Sequence, residues 1–246
     1  GHAHELVYGG GYRNSRSDLQ GSVVADIPHQ IYVDRIYNLF VQDQLTLLPD
    51  RLRLTLGAKM EEFNSIGTAW EPGMRLAWTP HERQTIWASV ARALRTPSVY
   101  ERMGRFNIGA AGAEPPSRPA PVLLSVLGNP ELKSEKLLAY ELGYRVHAFQ
   151  RFNVDLALFV NDYDDLRTST ERQNLATLPH YVGVESQFIS AGWGKTYGGE
   201  VSVTFQALER WRVHALYSII RADLEGPVTP LTGKTQPPKM SAPDSQ

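Results

Sequence analysis

Apolar and polar residues alternate one by one along much of the chain. The segment RLRLTLGAKMEEF (51–63) sets Leu52, Leu54, Leu56, Ala58 and Met60 against Arg51, Arg53, Thr55, Gly57, Lys59 and Glu61. Successive side chains of an extended chain leave on opposite faces, so a period of two predicts a strand with one apolar and one charged face. About nine segments carry this period: 4–13, 35–48, 51–63, 74–78, 83–95, 138–146, 152–163, 197–206 and 211–219. Residues 134–142 also have helical spacing, but alternation from Leu138 past Gly143 to Val146 favours a strand.

The connections between these segments alternate between short and long. Tight turns are expected at 49–50, 79–82, 149–151 and 208–210. Long polar or Gly/Pro-rich stretches are expected at 14–29, 98–132, 169–186 and from 225, with a shorter one at 64–71. Short turns on one side and long loops on the other characterise an up-and-down barrel in an outer membrane, where the apolar face meets lipid and the polar face lines a wet interior. A soluble β protein has no reason to segregate its loops so strictly. The predicted fold is therefore all-β: an antiparallel up-and-down transmembrane β-barrel of about nine strands.

Composition adds exclusions. The net charge of -1 and sequence pI near 6.7 lack the basic footprint of a nucleic-acid binder. The absence of cysteine excludes disulfides and Cys-ligated metals. No run of eighteen or more apolar residues occurs, and the mean hydropathy is -0.31. Strands of about 9–11 residues with one apolar face cross a bilayer without such a run. The first residues lack a signal-peptide layout, so the chain is expected to start inside a longer protein. Trp78, Trp87 and Trp211 fall near short turns and Trp70 and Trp193 near long loops, as in aromatic girdles. Asp43 and Arg92 break the pattern by landing on the lipid face. A β-bulge would turn either inward, or Arg92 sits above the hydrocarbon, near the strand exit at Arg95 and Pro97.

Four segments then resemble the TonB-dependent outer-membrane receptors, in that family's order: FVQDQLTLLPDRLRLTLGAKMEEF (40–63), TIWASVARALRTPS (85–98), GNPELKSEKLLAYELGYR (128–145) and LALFVNDYDDLR (156–167). TYGGEVSV (196–203) resembles the family's later Gly-x-Glu strand, so the resemblance covers roughly residues 4–224. About nine strands cannot enclose that family's lumen, so the resemblance implies an incomplete barrel, a partial receptor wall over 1–224, with the Pro-rich 225–246 as a loop or disordered tail. It also implies a receptor in the outer membrane of a Gram-negative bacterium, not an enzyme. The task implied is high-affinity uptake of a metal chelate of the siderophore, haem or cobalamin class, with a ferric siderophore favoured. The TonB complex would drive it through a plug that is not visible here. Further partners would be outer-membrane lipid and lipopolysaccharide; no cofactor or resident metal is expected. The competing reading is an autonomous small barrel, either a passive porin or an outer-membrane enzyme.

Candidate ligand contacts lie mainly in the long segment 98–132, where Tyr100, Arg102, Arg105 and Phe106 join flexible Gly, Ala and Pro. Cationic and aromatic groups on loops suit anionic or aromatic chelates. Arg95, at the strand end, is the fifth candidate. Other motifs fail. Gly-Lys-Thr at 194–196 and 233–235 lacks the glycine a phosphate loop needs, having Ile189 and Val228 there. His2, His4 and Glu5 read as a frayed end, and His81, Glu82 and Arg83 as a solvated turn. No Ser/His/Asp arrangement specifies a nucleophile.

Overall fold

The structure is a computed structural model that describes residues 3–28, 30–117, 120–148, 151–178 and 181–227, with backbone alone for 170–178. Among the described residues nine long strands form one antiparallel meander: β1 (His4–Leu19), β3 (Gln30–Leu48), β4 (Leu52–Phe63), β5 (Gly67–His81), β6 (Gln84–Arg95), β9 (Glu135–Ala148), β10 (Phe152–Leu178), β11 (Tyr181–Leu208) and β12 (Trp211–Glu225). These are the nine segments read from the alternation. Three short strands, β2 (Ala25–Asp26), β7 (Arg105–Ala111) and β8 (Val122–Leu127), and one short helix, α1 (Val99–Met103), lie in the long connections. Among the described residues β1 and β12 are not paired with each other, so the sheet is an open arc of barrel wall.

Register assigns the faces. Residues opposed across an antiparallel ladder share a face, and the rows Leu45–Leu54–Leu76–Ala88–Leu142–Leu158 and Leu52–Trp78–Ile86–Tyr144–Leu156–Val201–Tyr217 run unbroken across the wall. Strand β10 presents Phe152, Val154, Leu156, Leu158 and Val160 outward before Asp162, and β11 presents Phe205, Val203, Val201, Gly199 and Tyr197 before Lys195. Each such band spans nine residues, the length that crosses a hydrocarbon core at a tilt. Many of these side chains are exposed, among them Leu142 and Leu158. The wall has no interior of its own to bury them in, and lipid supplies that environment.

The opposite face is polar and concave. Lys59 pairs with Glu61 at 2.9 Å and Glu71 at 3.6 Å, Ser89 Oγ donates to Glu141, and Arg145 pairs with Asp155. A hollow of about 720 Å³ on this side is lined by Arg53, Thr55, Lys59, Arg75 and Ser89 among others. Three aromatic rings of this face lie where a neighbouring glycine leaves room. A Cβ on Gly143 would fall 2.2 Å from the Trp87 ring, one on Gly9 2.7 Å from Phe40, and one on Gly198 2.8 Å from Phe159. Arg75 covers the Trp87 ring at 4.6 Å.

Several expectations are corrected. Trp87 points inward, in register with Ala77 and Gly143; its sequence phase is that of the polar face, opposite to Ile86 and Ala88. Trp70, Trp78, Trp193 and Trp211 keep the outward phase. Residues 67–71 are strand, and the turn there is only Asn64–Ile66, closed by Gly67 at φ +84°. Likewise β1 extends to Leu19, β3 begins at Gln30, and β10 and β11 run through most of 169–186. Beyond the bilayer both faces of a hairpin meet water, so the alternation disappears although the ladder continues. No bulge turns Asp43 or Arg92 inward: the β3–β4 ladder shifts only between Thr46 and Leu48, and the β6–β9 ladder is regular. Arg92 shares a row with Leu138, Asp162, Lys195 and Asp223, a charged row at the loop-side end of the apolar bands. Asp43 stays outward within the apolar band, held by His4 Nδ1 at 2.8 Å. The turn at 149–151 falls partly, and the tail beyond 227 wholly, outside the described residues.

Candidate functional site

The long connections fold over the loop end of the wall. The segment between β6 and β9 does not stay beside those strands. Its β8 runs parallel to β11 along Val182–Gln187, on the side away from β10. Strand β7 pairs with β8, and β2, from the β1–β3 connection, pairs with β7 through Ala25–Phe106 and Asp26–Arg105. Connections from distant parts of the sheet thus meet in one small sheet at the mouth. The most buried residues gather here and beside it: Ile27 at 2%, Ser125 at 2% and Leu132 at 4% exposure.

This roof is tied to the wall by a charged cluster. After Pro97, Ser98 caps α1: its Oγ accepts from Glu101 N, and Glu101 returns a bond from Ser98 N at 2.7 Å, a complete capping box. The buried Glu101 carboxylate also accepts from Arg95 at 3.1 and 3.3 Å and from Arg167. Arg95 grips Glu135 with two bonds of 2.7 Å, and Glu135 accepts the Arg167 backbone N–H at 3.1 Å. The Arg167 guanidinium lies 4.9 Å from the Phe188 ring, which meets Phe106 edge-on at 5.9 Å. Burial favours protonation of Glu135, but the Arg95 bonds and the Arg167 N–H outweigh it and hold its pKa below the ordinary 4.5. Arg167 is lowered, first by burial and then by the nearby Arg95 charge.

The segment 128–135 owes its composition to this packing. A Cβ on Gly128 would lie 2.7 Å from Met103 N, so only glycine lets the chain pass the end of α1. Asn129 N donates to Glu101 O, and its side chain bridges Phe188 O and Glu131 N.

The five candidate residues fall in or beside this roof. Arg95 is in the cluster, with its side chain 49% exposed. Arg102 donates to Pro130 O at 3.2 Å. Arg105 pairs with Glu185 at 2.8 Å and donates to Ser125 Oγ. Phe106 meets Phe188 edge-on, and Tyr100 is half-buried on α1. The structure therefore brings Arg95 and α1 into one assembly and Arg105 and Phe106 into the adjoining sheet. Sequence reasoning missed Glu101, Glu135, Arg167, Phe188 and Glu185, which partner these groups. The Ser98-x-x-Glu101 spacing was a readable capping signal; nothing local marks Arg167 or Glu185.

An exposed apolar band, a polar concave wall, short turns at one end and a folded roof at the other define an outer-membrane barrel of the receptor type. The profile described as "TonB dependent receptor-like, beta-barrel" matches residues 1–242, and the chain belongs to that family. The family is one of receptors and transporters rather than enzymes, and its place is the outer membrane of Gram-negative bacteria. The ferric enterobactin receptor of Pseudomonas aeruginosa is 27% identical over 157 residues, 64% of this chain and 20% of that protein. The iron-regulated outer membrane virulence protein of Vibrio cholerae is 21% identical over 187 residues, 75% of this chain and 27% of that protein. The chain thus spans about a fifth to a quarter of the length of these curated relatives. A crystal structure of the P. aeruginosa ferric enterobactin receptor PfeA superposes with a TM-score of 0.70 at 21% identity, covering 88% of this chain and 33% of that one. The siderophore receptor PirA of the same species gives 0.68 at 20%, covering 91% and 42%. These likenesses show the fold.

Proposed function

We propose that this chain is wall and loop roof of a receptor that imports a ferric siderophore across the outer membrane, energised through TonB acting on a plug held in the barrel. The observation that carries the reading is the roof: loops from separate hairpins converge over a polar concave wall and place arginine and aromatic side chains there. The names of the relatives, ferric enterobactin and siderophore receptors, support the choice of cargo. Arg95, Tyr100, Arg102, Arg105 and Phe106 are the proposed ligand-facing residues. The three arginines also hold protein partners, so each would both shape the roof and present residual donors to an anionic chelate. Outer-leaflet lipid and lipopolysaccharide surround the wall in this reading.

The test is growth on a limiting ferric siderophore in a strain lacking its own receptor. A full-length gene carrying these residues should rescue growth in a TonB-dependent way, and residues 1–246 alone should not. Rescue by 1–246 alone, or rescue independent of TonB, refutes the proposal.

A further inference from the structure

On the inner face Gly57 stands opposite Gly73, and Gly73 opposite Ala91, so small residues form one row across β4, β5 and β6. A Cβ on Gly57 would come no closer than 3.7 Å to its neighbours, and one on Gly73 no closer than 3.6 Å. Unlike the hollows at Gly9, Gly143 and Gly198, this place is not taken up by a ring of the wall itself. It is the floor of the hollow of about 720 Å³, a volume within the ~300–1,000 Å³ of small-molecule sites. Ala91 lies four residues below Arg95 on β6, about 13 Å at ~3.3 Å per residue. The hollow is therefore beneath the roof cluster, on the same face of the same strand.

Its lining adds charge. Neither Arg53 nor Arg75 has an ion pair among the described residues; the Arg75 guanidinium covers the Trp87 ring at 4.6 Å. Gln44, Thr55 and Ser89 share the row of Arg75, and Gln42 stands opposite Gly57. Glu71, the acidic residue of the lining, is already engaged by Lys59 at 3.6 Å and by Leu94 N at 3.1 Å. Two guanidiniums with donors to spare thus flank a flat floor of backbone and small side chains. The wall itself shows what such a floor accepts, since Phe40, Trp87 and Phe159 each lay an aromatic ring against a glycine.

We infer that this hollow is a second binding station for the chelate, below the roof, and that it takes an aromatic ring carrying anionic oxygens. The ring lies on Gly57, Gly73 and Ala91, and Arg53 and Arg75 hold the oxygens. The inference rests on the proposed passage of a ferric chelate through this lumen. An anion without a ring would leave the floor uncovered, and a neutral chelate would leave both guanidiniums without a charged partner.

The test is equilibrium dialysis of the chain, refolded in detergent micelles, against iron complexes of different kinds. These are the ferric tris(catecholate) trianion, the ferric tris(oxalate) trianion, which has the charge without the rings, and a neutral ferric tris(hydroxamate). Folding is checked by heat-modified gel mobility. To separate the hollow from the roof, the background carries Arg95→Gln and Arg105→Gln. There one tris(catecholate) should be retained per chain, more tightly than either other complex. Each of Arg53→Gln and Arg75→Gln should weaken it about tenfold, the effect of losing a charge-assisted contact. Gly73→Leu should abolish retention, because it fills the hollow from a position that admits a Cβ and leaves both arginines in place. No retention in that background, equal retention of the oxalate or hydroxamate complex, or unchanged binding in the folded variants would overturn the inference. The growth assay is independent: growth rescued by a receptor whose hollow retains nothing sinks this inference alone.

Discussion

Replacing Met74 by arginine measures how deep the outward band sits in lipid. Met74 is exposed on the outward face of β5, four residues from Trp70 on one side and four from Trp78 on the other. The two indoles are about 26 Å apart along the strand at ~3.3 Å per residue. At a tilt of about 40° this is roughly 20 Å of height, close to the ~25 Å apolar band of such barrels. Met74 is therefore at the midplane, where arginine on the lipid face costs about 2–4 kcal/mol. Leu52, level with the turn-side girdle, should cost about 0–1 kcal/mol, and Leu54, one step above it, an intermediate amount. Leu56→Arg should cost less than Met74→Arg despite similar depth, because Asp43 stands directly opposite and can pair with the new charge. Thr55→Arg, on the inner face between Gln44 and Arg75, should be mild. The assay is urea titration of the protein folded into thin phosphatidylcholine vesicles, followed by tryptophan fluorescence and gel mobility. Equal penalties at Met74 and Leu52, or a penalty at Thr55 matching that at Met74, would refute the assignment of faces and depth.

Asp43→Leu should stabilise the protein in bilayers by up to about 2 kcal/mol, since it removes a carboxylate from the lipid face, partly offset by loss of the His4 contact; a destabilisation in the same urea titration would contradict the placement. Gly143→Ala should cost about 1–3 kcal/mol by driving a methyl into the Trp87 ring, and Trp87→Ala in the same chain should recover most of it. Because Glu135 has a depressed pKa, its contribution is complete above the unfolded-state value and is lost as pH falls through the lower folded value. Protease cleavage within 98–132 should accordingly rise below about pH 4.5, and Glu135→Gln should cleave readily at neutral pH with a flatter profile across that window.

What could be read in the sequence follows from where a physical contrast existed. Across the bilayer, lipid on one side and a wet lumen on the other impose a period of two, so all nine wall strands were legible. Past the bilayer the contrast vanishes, and the upper halves of β10 and β11 looked like loop. The roof was illegible for a different reason: β8 joins β11, and Glu101 on α1 meets Arg167 on β10, across sequence separations that no local pattern encodes. The segments resembling the receptor family include Arg95, Ser98, Gly128, Asn129 and Glu135, and these join the roof to the wall. The resemblance thus reached the cluster, Arg95 included, while the other four ligand candidates were chosen for residue type within a long loop.

The rings of Phe40, Trp87 and Phe159 occupy glycine hollows on the adjacent strand rather than standing into the lumen. Side chains that project like teeth would interlock with any body seated inside the wall, and shifting that body would require many of them to change rotamer together. A ring seated in a glycine hollow offers no such tooth, and polar neighbours such as Ser89 and Arg145 are held along the wall by Glu141 and Asp155. Over the stretch from β1 to β11 the aromatic side chains of the lumen side therefore leave a smooth inner surface, on which a seated body would find few rings to interlock with.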